Sequence, residues 1–414
     1  MAEGDLSAKY FWIDPKANIT KTYADLFSDI SATKSVHKCL KNTNTYQLYV
    51  ELLAGMLTNE EFILIDSDWS TSELNTLGID ENQLNAAIPL SPISLSTFDD
   101  LLEKISALKN WKLGFFTSGT TGRPKYIAHN LSVLARNVKS GERFANNQWG
   151  FCYNPTHFAG IQVFLQAIYN NNTMVNLFYA DYALAEQSLK KYAITHLSAT
   201  PTYYRSIYSQ LHDTYPLVER ITFGGEMFDN QIAQMLLSFF PNAKITNVYA
   251  STELGSILAG KGNTLKIPDE FADRIRISEE RELQVHKSLM GETDSDEWFN
   301  TGDLVERKED GTLLFVSRKS EMINVGGYKV NPHEIEEIII ELPNVSDVVV
   351  YGRDNRITGK LIVADVKLSG MAFGDMETTI LNHLQSRVQP WKIPRLIHFV
   401  DEIDRTRTGK KVRK

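Results

Sequence analysis

The sequence predicts an α/β protein in which a large N-terminal domain of layered α/β subdomains, with a small β subdomain, precedes a small α+β C-terminal domain. Three observations predict it. From about residue 112 to 250, short apolar runs alternate with helical patterns, as expected of mostly parallel strands covered by helices. From about 270 to 316 the pattern changes to short strands and turns. The last hundred residues open on a helix-start signal and read as a separate unit. With 414 residues, the chain is long enough for two or three folding units.

Taken in order, residues 1–110 give only faint patterning, such as Thr22-Tyr23-Ala24-Asp25-Leu26, and read as a trimmed or divergent subdomain. In the α/β part, 194–199 and 221–223 are strand-like and 231–240 is helical. Residues 282–286 and 312–316 are short strands, and Asp310-Gly311 marks a hairpin turn between strands. Asn331-Pro332-His333-Glu334 supplies a cap residue, proline at the first helical position and glutamate three after the cap. Ile335, Ile338, Ile339 and Leu342 then share a helical face, 345–351 and 361–368 read as strands, and 376–388 as a second amphipathic helix. The expected boundaries are 1–317 for the large domain, 318–320 for a hinge and 321–414 for the small domain.

A composition of 43% hydrophobic and 23% charged residues is that of soluble globular proteins. The formal net charge of -8 argues against a general nucleic-acid binder. Cys39 and Cys152 are too far apart for a CxxC pattern, so neither a disulfide framework nor a zinc site is expected. No secretory h-region and no run of membrane-spanning length occurs, and a cytoplasmic protein is expected.

The most informative stretch is Thr117-Ser118-Gly119-Thr120-Thr121-Gly122-Arg123-Pro124-Lys125. Its glycines let the backbone curl its N–H groups toward an anion, and its hydroxyls and Lys125 add donors and positive charge, which suits phosphate. It is not a Walker A sequence, because Pro124 precedes Lys125. Alone, such a stretch is also compatible with an ordinary surface turn.

Further segments follow: Gly224-Gly225-Glu226, Tyr249-Ala250-Ser251-Thr252-Glu253, Asn300-Thr301-Gly302-Asp303, Arg318 through Gly326-Gly327-Tyr328-Lys329, and Arg405-Thr406-Arg407-Thr408-Gly409-Lys410. In this order, with the loop at 117–125, they resemble the adenylate-forming superfamily of acyl- and aryl-CoA synthetases, peptide-synthetase adenylation domains and luciferase. The resemblance covers roughly residues 112–414.

The resemblance implies ATP-dependent activation of a carboxylic acid to an acyl-adenylate and transfer to a thiol. CoA is the expected acceptor, with the phosphopantetheine of a carrier protein as the alternative. It assigns Thr117, Ser118, Gly119, Thr120, Thr121, Gly122 and Lys125 to the β/γ-phosphates, Thr252 to the α-phosphate and Glu253 to Mg²⁺. Tyr249 suits one face of adenine, and the side-chain-free Gly224-Gly225 backbone, followed by Glu226, suits the other. Asp303 is implied to bind the ribose hydroxyls and Arg318 to support ribose or phosphate.

Lys410 is implied to neutralise charge between carboxylate and α-phosphate in the transition state. The competing reading of this end is a solvated basic tail that touches RNA or lipid, since Arg405, Arg407, Lys410, Lys411, Arg413 and Lys414 crowd together. Gly326 and Gly327 are implied to line the thiol tunnel after rotation at Ser320, where the family commonly carries Asp or Lys. Asn154-Pro155-Thr156-His157-Phe158-Ala159-Gly160 resembles the acid-pocket segment of these ligases, with His157 near the carboxylate. A catalytically silent nucleotide-binding module is a further alternative, against which Glu253, Asp303, Arg318 and Lys410 argue together. Tyr126 and Ala250 stand where the family often has glycine, and are expected to place bulk near the bound nucleotide or acyl group.

Overall fold

The computed structural model describes residues 6–108, 110–117, 125–292, 296–325, 328–355, 359–370, 375–405 and 411–414. The chain divides into two compact units, Met1–Ile275 with Val285–Phe299, and Arg276–Gln284 with Asn300–Lys414.

The first unit is built on an eight-stranded sheet. Its order is Gly255–Gly260, Lys244–Ser251, Arg220–Gly224, His196–Ala199, Gln148–Phe151, Thr173–Asn176, Tyr10–Asp14 and Ile19–Thr22. The six inner strands are parallel and the two edge strands antiparallel. Side chains alternate between faces along a strand, so Trp12 and Met174 enter one apolar cluster while Ile13 and Val175 enter another. Helices Thr45–Leu57 and Phe158–Ile168 bury Tyr49 and Phe164 in the first cluster, where the two rings stack at 4.3 Å. Helices Tyr182–Lys191, Pro201–Tyr208 and Asn230–Leu236 bury Leu189, Tyr204 and Leu236 in the second. A parallel sheet covered on both faces is the architecture that the alternating pattern predicts.

Two strands of this sheet come from the region with the faintest patterning. Tyr10–Asp14 pairs with Thr173–Asn176, more than 150 residues away in sequence, through Trp12↔Met174 and Ile13↔Val175. Thr22 then caps helix Tyr23–Ala32 in a capping box with Asp25. A second, four-stranded sheet takes the order Cys39–Leu40, Phe62–Leu64, Lys112–Thr117, Lys125–Asn130. Its last two strands are an antiparallel pair in which Thr117 stands opposite Lys125.

In the second unit, residues 282–284, 300–307 and Leu313–Arg318 lie on successive neighbouring strands of one sheet. Gly311 takes a φ of +81°, and Asp310 Oδ1 accepts from the Thr312 N–H at 3.0 Å, which makes the expected hairpin turn. A second sheet runs Tyr328–Val330, Ile323–Val325, Gly359–Leu368, Val345–Asn355, with Leu396–Phe399 paired to Gly359–Leu368. Helices Pro332–Ile340 and Met376–Gln385 pack on it through Ile335, Ile339, Ile380 and Leu384. Asn331 caps the first helix by accepting from His333 N–H at 3.0 Å, whereas Glu334 binds Lys392 Nζ at 2.7 Å instead of closing a capping box.

Candidate active site

Four adjacent parallel strands end side by side, and three of them lead into segments singled out in the sequence. Phe151 stands beside Ser198, Ala199 beside Phe223, and Gly224 beside Val248. Residues 154–157, 199–201, 224–226 and 249–253 therefore gather at the carboxyl ends of the strands, where open α/β sheets bind their ligands. Gly225 needs its glycine, with φ +81°, and a Cβ on Gly224 would lie 3.2 Å from the Tyr153 hydroxyl. Glu226 turns its carboxylate to helix Pro201–Tyr208, where Oε2 accepts from Thr202 Oγ1 at 2.7 Å and from Thr202 N–H at 3.2 Å.

Tyr249 is half-buried in strand Lys244–Ser251, and the register to Gly255–Gly260 shifts between Tyr249 and Ala250. Such an irregularity re-aims the following side chains. Thr252, Glu253 and Leu254 then form the tight turn before Gly255, whose φ is +70°. All three turn carbonyls are held from outside. His129 Nε2 bonds to the Thr252 carbonyl, Gly291 N–H donates to that of Glu253 at 3.0 Å, and Arg136 Nη1 to that of Leu254 at 3.4 Å. Burial holds the His129 imidazole below its ordinary range, and Arg136 pushes the same way, against the opposing bond to Thr252. The neutral ring therefore donates from Nε2, because a carbonyl only accepts.

His157 is the N-cap residue of helix Phe158–Ile168, and its Nε2 lies 3.0 Å from Asp66 Oδ2. The buried Asp66 also accepts from the Thr156 hydroxyl, and Asn154 Nδ2 approaches it at 3.4 Å. Gly160 brings this helix back over its own lead-in, since a Cβ there would sit 2.3 Å from the Asn154 carbonyl oxygen. The arrangement fixes the imidazole on a carboxylate, the usual way a histidine ring is oriented for proton handling.

Lys125 is exposed at the start of its strand. Tyr126 lies across Gly114, where a Cβ would meet its ring at 2.5 Å, and contacts Phe116 at 5.7 Å between centroids. The bulk that Tyr126 adds thus covers a strand glycine of its own hairpin. Thr117 is described through its backbone pairing alone, and Ser118, Gly119, Thr120, Thr121, Gly122, Gly326, Gly327 and Lys410 lie outside the described residues.

In the second unit Asp303 is 3% exposed, and Gly302, with φ +76°, donates its N–H to Glu282 Oε1 at 2.9 Å. Asp303 Oδ1 accepts from Arg318 Nε at 2.7 Å. At the end of the chain Arg405 and Lys411 both bind Asp347, Arg413 binds Glu336, and Lys414 binds Asp365. Lys411 Nζ also donates to the Val348 carbonyl at 2.6 Å, and Arg413 Nη1 to that of Val350 at 2.5 Å. Lys411 and Arg413 thus cover carbonyls of the edge strand Val345–Asn355, and with Arg405 and Lys414 they neutralise buried carboxylates, which counts against the solvated-tail reading.

Sequence reasoning missed Asp66 and His129. His129 is buried in strand Lys125–Asn130 together with Ile127 and Ala128, and nothing local named its partner, 123 residues on.

Residues 63–275 match the family described as AMP-binding enzyme, and residues 334–410 match the AMP-binding enzyme C-terminal domain. The chain belongs to the AMP-binding enzyme family. It is 25% identical over 354 residues to acyl-coenzyme A synthetase ACSM1, mitochondrial, of Homo sapiens, covering 72% of this chain and 60% of that protein. It is 24% identical over 420 residues to 2-succinylbenzoate–CoA ligase of Staphylococcus epidermidis, covering 94% and 85%. The chain thus spans about 60% of the length of the human relative. In fold it is similar to o-succinylbenzoate CoA synthetase from Bacillus subtilis in complex with the acyl-adenylate intermediate, at TM-score 0.73 and 18% identity over 98% of this chain and 94% of that one. It is likewise similar to ATP-bound MatB from Rhodopseudomonas palustris, at TM-score 0.77 and 17% identity over 97% and 94%. Among the described residues no helix is long and apolar enough to cross a membrane.

Proposed function

We propose that the protein is an AMP-forming acid–thiol ligase that activates an acyl or aryl carboxylic acid with ATP and passes it to CoA. The convergence of 154–157, 199–201, 224–226 and 249–253 at one end of the parallel sheet is the observation that carries this reading. The family membership and the CoA-ligase relatives support it. In the first step a carboxylate oxygen attacks the α-phosphorus, the bond to the bridging oxygen breaks, and pyrophosphate leaves. In the second, a thiol sulfur attacks the acyl carbon and AMP leaves.

Tyr249 and the Gly224-Gly225 backbone are assigned to adenine, Glu226 to fixing that segment on helix Pro201–Tyr208, and Asp303 with Arg318 to the ribose. Residues 117–122 and Lys125 are assigned to the β/γ-phosphates, Thr252 to the α-phosphate, and Lys410 to charge neutralisation during adenylation. His157, oriented by Asp66, faces the acid. Glu253 is the residue that would hold Mg²⁺. Mg²⁺ binds through one or two carboxylates plus substrate phosphates, so a single protein carboxylate beside the ATP phosphates suits it. When bound, the ion offsets phosphate charge as pyrophosphate departs. Rotation at 318–320, with 1–317 and 321–414 as the moving bodies, would bring Gly326-Gly327 to the thiol.

The test is pyrophosphate release with ATP and Mg²⁺ over a panel of carboxylic acids that includes 2-succinylbenzoate, benzoate and medium-chain acids, with and without CoA. Release is expected with one class of acid, and a fall of about 10²- to 10³-fold in Lys410→Ala. No release with any acid and CoA would overturn the proposal.

A further inference from the structure

We infer that His129 is a positioning residue for Thr252 and Glu253, an inference that rests on assigning those two residues to phosphate and metal. His129 is fully buried, with its ring packed edge-on or tilted against Phe115 at 6.0 Å and Phe158 at 5.4 Å. Nε2 meets the Thr252 carbonyl, the oxygen of the peptide unit that leads into Glu253. Orienting that peptide plane sets the direction of the Glu253 Cα–Cβ bond, because the backbone has only two soft torsions per residue. The next carbonyl, of Glu253, is held at 3.0 Å by Gly291, and Glu292 N–H donates to the Ala128 carbonyl at 2.8 Å.

Gly291 completes the arrangement. A Cβ there would lie 2.7 Å from His129 Cε1, 2.8 Å from Nδ1 and 2.8 Å from the Ala128 carbonyl oxygen, so no side chain fits while the ring holds its place. One strand therefore carries Lys125 at its start and His129 near its end, and ties the close of the 117–125 loop to the Thr252–Glu253 turn. A site that must hold a carboxylate within a fraction of an ångström depends on such supporting bonds.

The test uses the full chain and measures ATP binding by calorimetry in Mg²⁺ and in EDTA. His129→Phe keeps the aromatic packing and removes the donor, Gly291→Ala pushes the ring aside while leaving residue 129 a histidine, and His129→Gln restores a donor. The first two are expected to cut the Mg²⁺-dependent gain in ATP affinity about tenfold, with Mg²⁺-free binding within about twofold of wild type, and His129→Gln to recover part of the gain. Thermal midpoints show whether each variant is folded. A full Mg²⁺-dependent gain in both His129→Phe and Gly291→Ala, or an equal loss with and without Mg²⁺, would overturn the inference. Glu253→Gln separates it from the reading beneath it. If Glu253→Gln loses the gain and His129→Phe keeps it, the positioning role fails alone. If Glu253→Gln binds as wild type in Mg²⁺, the metal assignment fails and the inference falls with it.

Discussion

Asp303 and Arg318 stand directly opposite one another on antiparallel strands, and Arg318 Nε donates to Asp303 Oδ1 at 2.7 Å. The carboxylate is 4% exposed and the guanidinium 33%, so the two act as one unit with the acid inside. Arg318→Met leaves that carboxylate without its guanidinium partner. It is expected to lower stability by about 2–4 kcal/mol, with Arg318→Lys intermediate because it keeps charge and loses the fork. Adding Asp303→Asn to Arg318→Met is expected to return part of the loss in urea unfolding. Strictly additive single effects would show that the pair is uncoupled.

Arg405 and Lys411 are bridged backbone to backbone, and both side chains reach Asp347, whose side chain is 10% exposed. Asp347→Asn keeps the shape and removes the charge that Arg405 and Lys411 share. Trypsin cleavage after Arg405, Arg407, Lys410 and Lys411 is expected to accelerate about tenfold, with sites elsewhere unchanged. Peptide mapping over a digestion time course checks this, and an unchanged rate at these sites would show the anchor to be dispensable.

Glu336 is held well below the usual carboxylate range. Burial alone would raise it, but the bond from His333 and the nearby Lys411 and Arg413 outweigh that. The unfolded chain therefore takes up this proton below about pH 4.5 while the folded protein does not, so stability is present above that value and drains as pH falls. His333 behaves oppositely. Burial lowers it, Glu321 and Glu336 raise it further, and the net is a rise above 6.5, so its contribution is full below that value and fades as pH climbs through the folded value. Urea unfolding from about pH 3 to about pH 9 should show a shallower acid limb in Glu336→Gln and a shallower alkaline limb in His333→Gln. Limbs as steep as wild type would assign the pH dependence to other groups.

Gly160→Ala drives a methyl into the Asn154 carbonyl oxygen, 2.3 Å from the ideal Cβ position. Backbone must shift, and the expected loss is about 1–3 kcal/mol in chemical unfolding. Because Asn154, Thr156 and His157 converge on Asp66, adenylation should fall by more than in Ala159→Ser, which lies between Gly160 and the helix start. Wild-type stability and rate would show that the lead-in segment relaxes freely.

Much of the fold was legible because local patterns repeat the architecture. The strands at 196–199 and 220–224 and the cap at Asn331 emerge where apolar runs and cap residues predict them. Of the site, the segments at 224–226, 249–253 and 154–157 were legible because each marks a strand end by its small or polar residues. Strands Tyr10–Asp14 and Ile19–Thr22 were not, since their pairing partners are remote or their burial pattern is weak. Asp66 gave no signal of its own, because a carboxylate after an apolar run is common and its meaning here comes from His157, 91 residues later.

From about residue 112 onward the sequence by itself determined much of the order of secondary structure, and it determined the two-part organisation and the chemical character of each motif, because periodicity, caps and residue type are local properties. Only the tertiary structure decided that Arg318 belongs to Asp303, that His129 holds the Thr252 carbonyl, and that the basic end of the chain neutralises Asp347, Glu336 and Asp365. These are pairings between distant residues, and a buried polar group is satisfied by whichever partner the packing delivers rather than by its neighbours in sequence.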